Sequence, residues 1–316
     1  MWEPSQSSGK EPYVFNVDKP IDLLGVHAEL MEKALRREEK LLYLLYSPIY
    51  QEKKGSFGLQ GTPSSHAVAV TSDRFVISEN QHREGIEPTV QSIPFRQVLY
   101  VQLGAALLLG WFSIEFVVDD KQSCTTLFFP ATTGMKHFSI ALRKYRRVAG
   151  HAYDQLPVDA MGWPEIWRHT SQTLIDLLEP LIIYGELPFN VLRSSERWIT
   201  RKIRWKSIPT CLLTTAILVS TNFGFLYAAE DKPSRPDVYS FGVNVSCILP
   251  DTMKSAQIVQ KQMYDRHLFV SKQEIARKGV TVEFDVPLDD KSLMDAETLV
   301  YFLTKDVRGE DGICVS

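Results

Sequence analysis

A short strand–turn–strand phrase occurs twice in this chain of 316 residues. The first copy, Ala67–Glu79, reads AVAVTSDRFVISE, and the second, from Ala216, reads AILVSTNFGFLYAAE. Ala67 pairs with Ala216, and Asp73 and Asn222 then mark the same turn. Other landmarks follow in the same order. Pro94 and Pro250 each end a strand segment, Phe112 and Phe269 lie in later ones, and Pro130 and Pro287 follow the last ones. The separation between partners grows only where the loops differ, as expected of one unit duplicated. The alternative is two unrelated β domains with coincident prolines.

Each copy sits in a similar run of elements. In the first half, Ile21, Leu24, Ala28, Met31 and Leu35 recur at helical spacing, which predicts an amphipathic helix over about 19–39. LLYLLYSPIY is a first strand bent at Pro48. In the phrase itself, Val68, Val70, Phe75 and Ile77 are the expected core, and Thr71-Ser72-Asp73 supplies the turn. TVQSIPF, VLYVQLG, GWFSIEFVV and TTLFF are further strands, with breaks at Gly104, Gly110 and Asp119-Asp120. Thr133 is placed as the cap of a helix carrying Met135, Phe138, Leu142 and Tyr145 on one stripe.

The second half opens with a helix whose stripe is Trp163, Trp167, Thr170, Leu174, Leu177 and Leu181. LPFNVLRS is its first strand. ERWITRKIRWKSIP is a loop or loop plus strand, and CLLTTAILVST is the next strand. VNVSCILP, SAQIVQKQM, HLFVSK and VTVEFDVP are strands, and Asp290 caps a closing helix with Leu293, Ala296, Val300 and Leu303. The expected division is a polar tail over 1–16, a first unit with its lead-in helix over 17–150, and a linker, Trp helix and second unit over 151–316.

Hydrophobic residues make up 44% and charged residues 23% of the chain, a balance that can bury a sizeable core. The formal net charge of −3 disfavours a strongly basic nucleic-acid binder. Cys124, Cys211, Cys247 and Cys314 have neither C-x-x-C nor ligand spacing, so reduced, mostly buried thiols are expected, with no cofactor or metal. The N-terminus lacks the apolar region of a secretory signal. Cys211–Ala229 carries no charge and follows a basic run, as a membrane anchor would. Its Thr214, Thr215, Ser220, Thr221, Asn222 and Gly224 favour a hairpin instead. The expected location is cytoplasmic, with peripheral membrane association as the alternative.

Several short strands closed by one helix resemble the pleckstrin-homology-like fold, in the form of bacterial PH-like and GRAM-like domains. The likeness is carried by AVAVTSDRFVIS and AILVSTNFGFLY, by SIPFRQVLYV and CILPDTMKSAQIV, and by the helices after Pro130 and Pro287. It spans most of the chain beyond Leu41. It implies a mainly β protein with helices (α+β). There would be two tandem, partly open barrels, each closed by a C-terminal amphipathic helix and preceded by a lead-in helix.

No G-x-G-x-x-G, P-loop, H-E-x-x-H or G-x-S-x-G occurs. Asp119-Asp120 and Asp289-Asp290 are placed where turns and helix caps favour Asp. The sharpest candidate is Arg197–Lys206, RWITRKIRWK, which holds Arg197, Arg201, Lys202, Arg204 and Lys206 with Trp198 and Trp205 interleaved. Such clusters hold phosphate oxygens, and Trp favours the membrane interface. Lys202-Ile203-Arg204 is similar to the Lys-x-Arg pattern of lipid-binding PH domains, whereas the first unit has only Lys53-Lys54. The bland alternative is a solvated basic stretch facing acidic neighbours in the chain. The leading expectation is a non-enzymatic adaptor that binds a protein or peptide partner. The alternative is peripheral binding of anionic phospholipid head groups through the basic stretch. Less favoured are single-stranded nucleic acid and an enzyme with a dispersed site.

Overall fold

The computed structural model describes residues 13–50, 64–150, 161–203, 206–231, 242–249, 255–261, 266–274 and 281–287. The first five strands pair antiparallel in chain order: β1 (Phe15–Asn16), β2 (Leu41–Tyr50), β3 (Ser64–Thr71), β4 (Arg74–Asn80) and β5 (Thr89–Pro94). The bend expected at Pro48 coincides with a register shift between Ser47 and Tyr50. Val68, Val70, Phe75 and Ile77 face the main core, as the alternation predicts. The intervening Ala67, Ala69 and Val76 are buried too, in a second cluster with Leu23, Met31 and Leu44. Helix α1 (Val26–Ala34) covers that second face. A sheet covered on both faces reads as a continuous apolar run, which is why AVAV shows no polar alternation.

Helix α1 is much shorter than the span expected from its stripe. Pro20–Asp22 form a separate 310 turn, and Gly25 precedes α1 with φ 61°, a left-handed conformation that breaks the helix. Ile21 and Leu24, expected on the buried stripe, are exposed.

Strands β6 (Val98–Ala106), β7 (Leu109–Val118) and β8 (Lys121–Pro130) form a meander leading into α2 (Ala131–Ala149). Asp119 and Asp120 make its second turn, with φ of 48° and 63°. The first turn is at Leu107-Leu108. Gly104 and Gly110 lie within the strands and do not break them. They are glycine for space: a Cβ at Gly104 would overlap the Trp111 indole, and one at Gly110 the Phe129 ring. Phe138, Leu142 and Tyr145 of α2 are fully buried, as their spacing predicts, and Met135 packs against the same core. Thr133 is not the cap. It lies inside the helix, where its hydroxyl accepts the Val14 N–H and ties down β1.

Phe129 stacks on Phe138 at 4.1 Å and is hemmed by Gly110 and Gly134, where a Cβ would overlap its ring. Alanine in place of a helical glycine ordinarily stabilises by about 1 kcal/mol. Here the overlap reverses the sign. Gly134→Ala is expected to lower stability by about 1–3 kcal/mol, seen as a lower Tm in thermal melting.

In the second half the Trp helix is two short helices, α3 (Trp163–Trp167) and α4 (Gln172–Leu178), the latter capped by Ser171. Leu174, Leu177 and Leu181 are buried as expected. Trp163 and Trp167 stack on each other at 5.0 Å and pack at the core margin. Strand β9 (Pro188–Ser194) follows, then β10 (Arg197–Ile203), β11 (Lys206–Leu213), β12 (Ala216–Thr221), β13 (Gly224–Asp231) and β14 (Gly242–Ile248). Cys211–Ala229 is therefore strands. No helix among the described residues is long and apolar enough to cross a membrane.

Strand β14 pairs antiparallel with β6, Cys247 opposite Val101, and joins the halves in one seven-stranded sheet, β8-β7-β6-β14-β13-β12-β9. A separate sheet holds β15 (Ser255–Lys261), β16 (Arg266–Glu274) and β17 (Thr281–Pro287). The chain is mainly antiparallel β with a few helices. The closing helix expected after Asp290, together with Asp289, Pro250 and Cys314, lies outside the described residues.

Candidate functional site

The basic stretch forms a ribbon. β10 and β11 pair only with each other among the described residues, with Arg201 opposite Ile208, Lys202 opposite Ser207 and Ile203 opposite Lys206. Successive strand positions alternate between faces. Arg201 and Lys206 therefore share one face of the ribbon, and Lys202 stands on the other. Arg204 and Trp205 lie outside the described residues, as do Lys53 and Lys54. The ribbon occupies the connection between β9 and β12, the first and second strands of the second-half ladder.

A turn is built twice on a buried threonine, with a glutamate ahead of the ladder in each half. Thr71 Oγ1 accepts the Asp73 N–H at 3.3 Å and lies 3.0 Å from the Arg74 carbonyl; Thr221 Oγ1 accepts the Phe223 N–H at 3.1 Å and lies 3.0 Å from the Gly224 carbonyl. This geometry matches Thr71 with Thr221, and hence Ser72 with Asn222. The pairing of Asp73 with Asn222 expected from sequence is off by a single step. Ahead of the first ladder strand in each half stands a glutamate. Glu39 accepts the Arg36 N–H and Glu186 the Ile183 N–H, each at 2.8 Å.

The cation that meets each glutamate differs. Arg74 reaches Glu39 with two hydrogen bonds, 2.8 and 2.6 Å, and donates also to Ser92 and to the Ala34 carbonyl at the end of α1. This bidentate Arg74 contact holds the Glu39 carboxyl down at about 2. The position matching Arg74 in the second half is Gly224. There the cation is Arg146 of α2, which pairs with Glu186 and donates to the Leu181 carbonyl at 2.6 Å. Thr221 Oγ1 lies 2.6 Å from the same carboxylate. Arg146 and Glu186 side chains are 1% and 0% exposed, so the pair is structural.

A second cluster lies beneath α1. His27 Nδ1 is 2.7 Å from Ser78 Oγ, and His27 Nε2 is 2.9 Å from Ser65 Oγ. Ser65 Oγ is also 2.8 Å from His82 Nε2. His66 Nε2 contacts Ser64 Oγ at 3.1 Å and faces Glu79 at 3.8 Å, while its Nδ1 is buried without a partner. Burial first, and then the His66 and His82 imidazoles, bring His27 down to about 4. Hydrogen bonding from His66 lowers Glu79. Ser65, which contacts both imidazoles, is only 1% exposed, so its hydroxyl is shielded from solvent. Sequence reading missed this cluster because its members are scattered over α1, β3, β4 and the loop beyond.

Among the described residues no group of His, Cys, Asp or Glu has the arrangement to hold a metal ion. Cys247 is buried and its thiol is pushed up to about 12, whereas Cys124 is exposed. No family model, curated protein or solved structure matches this chain.

Proposed function

We propose that the chain is a non-enzymatic binding module of two tandem PH-like units, an adaptor that engages a protein or peptide partner. Support for the units comes from strand order. The first half runs β2 to β5, then β6 to β8, then α2; the second runs β9 and β12 to β14, then β15 to β17. The observation that carries the binding role is the β10–β11 ribbon, an inserted two-stranded sheet rich in cationic and aromatic residues. Cations placed on both faces suit an acidic partner that wraps the ribbon. The test is affinity capture by the full chain and by a variant with Arg201, Lys202, Arg204 and Lys206 all changed to Glu. A captured protein that binds again when purified, and fails to bind the variant, supports the adaptor. Equal binding to both chains removes the ribbon from the role.

One observation favours a second reading. The ribbon lies between the first and second ladder strands, where lipid-binding PH domains place their basic residues. Anionic phospholipid head groups would then meet Arg201, Lys202, Arg204 and Lys206. This reading predicts co-sedimentation with phosphatidylserine vesicles that salt weakens and that Lys202→Glu/Arg204→Glu abolishes. Binding equal to that on neutral vesicles would count against it.

A further inference from the structure

The imidazole cluster under α1 brings two rings onto one buried hydroxyl. One hydroxyl, Ser65, contacts the Nε2 atoms of both His27 and His82. It has a single proton to donate. In the neutral cluster each ring can either accept that proton or donate its own N–H to Ser65 Oγ. Ser78 completes the chain at His27 Nδ1. Ser65 also bonds the Tyr46 hydroxyl, so its one proton goes either to a ring or to that phenol. If both rings are charged, both Nε2 atoms become donors aimed at one oxygen. Two cations then share a single hydroxyl, with the His66 ring beside them.

The surroundings offer little to offset such charge. Helix α1 packs on β3, β4, β5 and the 310 turn. The titratable groups on these elements and on β2 include the buried His66 of β3, Glu79 of β4 and Tyr46 of β2, with His82, Asp22 and the helix's own Glu29, Glu32 and Lys33 exposed. β5 contributes no charged residue. Tyr46 of β2 meets the His27 ring edge-on at 5.5 Å. Glu79 faces His66, not His27. Glu79 is thus engaged by His66, while His27 itself is 2% exposed.

The far end of the helix is held differently. Arg74 donates to the Ala34 carbonyl at 2.9 Å and is clamped to Glu39, whose carboxyl stays ionised down to about pH 2. The two ends of α1 therefore respond to acid in separate ranges.

We infer that α1 is an acid-opened latch: as the imidazoles beneath it take up protons, its N-terminal end leaves the sheet while its C-terminal end stays tethered by Arg74 and Glu39. The sign follows from His27, which in the docked helix holds its proton only below about pH 4. An undocked His27 takes one up near its ordinary value of about 6.5. Docking is unopposed above that value and weakens as the pH falls towards 4.

Hydrogen exchange of the full chain between pH 7 and 4.5 tests this. The protection factor of α1 amides is expected to fall by up to about tenfold per pH unit below 6.5, while α2 amides keep theirs. His27→Gln is expected to flatten that dependence. Should that variant fail to fold, His82→Gln, at the exposed end of the chain, is expected to make the slope shallower. Protection in α1 that is flat to pH 4.5, that falls in step with α2, or that falls equally in a folded variant overturns the latch.

Discussion

Glu186→Ala is expected to destabilise the protein by about 3–5 kcal/mol, read as a lower midpoint of urea unfolding. The carboxylate is fully buried, and without it the Arg146 guanidinium keeps its charge with no counter-ion, only the Leu181 carbonyl. The substitution also strips an acceptor from the Ile183 N–H and from Thr221. The double variant Arg146→Met/Glu186→Leu tests whether charge is the cause. It removes both ions and is expected to recover more than half of the loss. A double variant as unstable as Glu186→Ala would place the cost in the hydrogen bonds. Because Arg146 belongs to α2 and Glu186 to the turn before β9, the loss falls on the junction of the two halves.

Arg74→Ala is expected to cost about 3 kcal/mol, for a related reason. It leaves Glu39 buried without its bidentate partner and frees the Ala34 carbonyl that ends α1. This prediction has a pH signature. Glu39 folds with its carboxyl at about 2, well below its ordinary 4.5. Its stabilisation is therefore complete above about pH 4.5 and is lost as the pH falls towards 2. The gap in urea midpoint between wild type and Arg74→Ala should be full at pH 7 and narrower at pH 3. An equal gap at both would show that Arg74 acts through packing alone.

The two salt bridges show how far the duplication could be read. Threonine and glutamate recur at matching places, Thr71 with Thr221 and Glu39 with Glu186, and the Glu lies two residues before the first ladder strand in each half. That signal was present in the sequence. The cation was not: Arg74 has no counterpart at Gly224, and Arg146 comes from a helix far along the chain. A contact between distant segments leaves no local spacing to detect. The basic ribbon is the reverse case. Its cations were plain in the sequence, but their division between two faces follows from the pairing of β10 with β11.

The local alternation of apolar residues determined the strands, the turns at Ser72-Asp73 and Asp119-Asp120, and the buried stripe of α2. These depend on periods of two and 3.6, which a sequence carries directly. Only the tertiary structure decided that β6 and β14 join the halves in one sheet and that α1 buries a second face of the first. It alone brought His27, Ser65, Ser78 and His82 together under that helix. These are long-range contacts, fixed by which surfaces remain to be covered once the strands have formed.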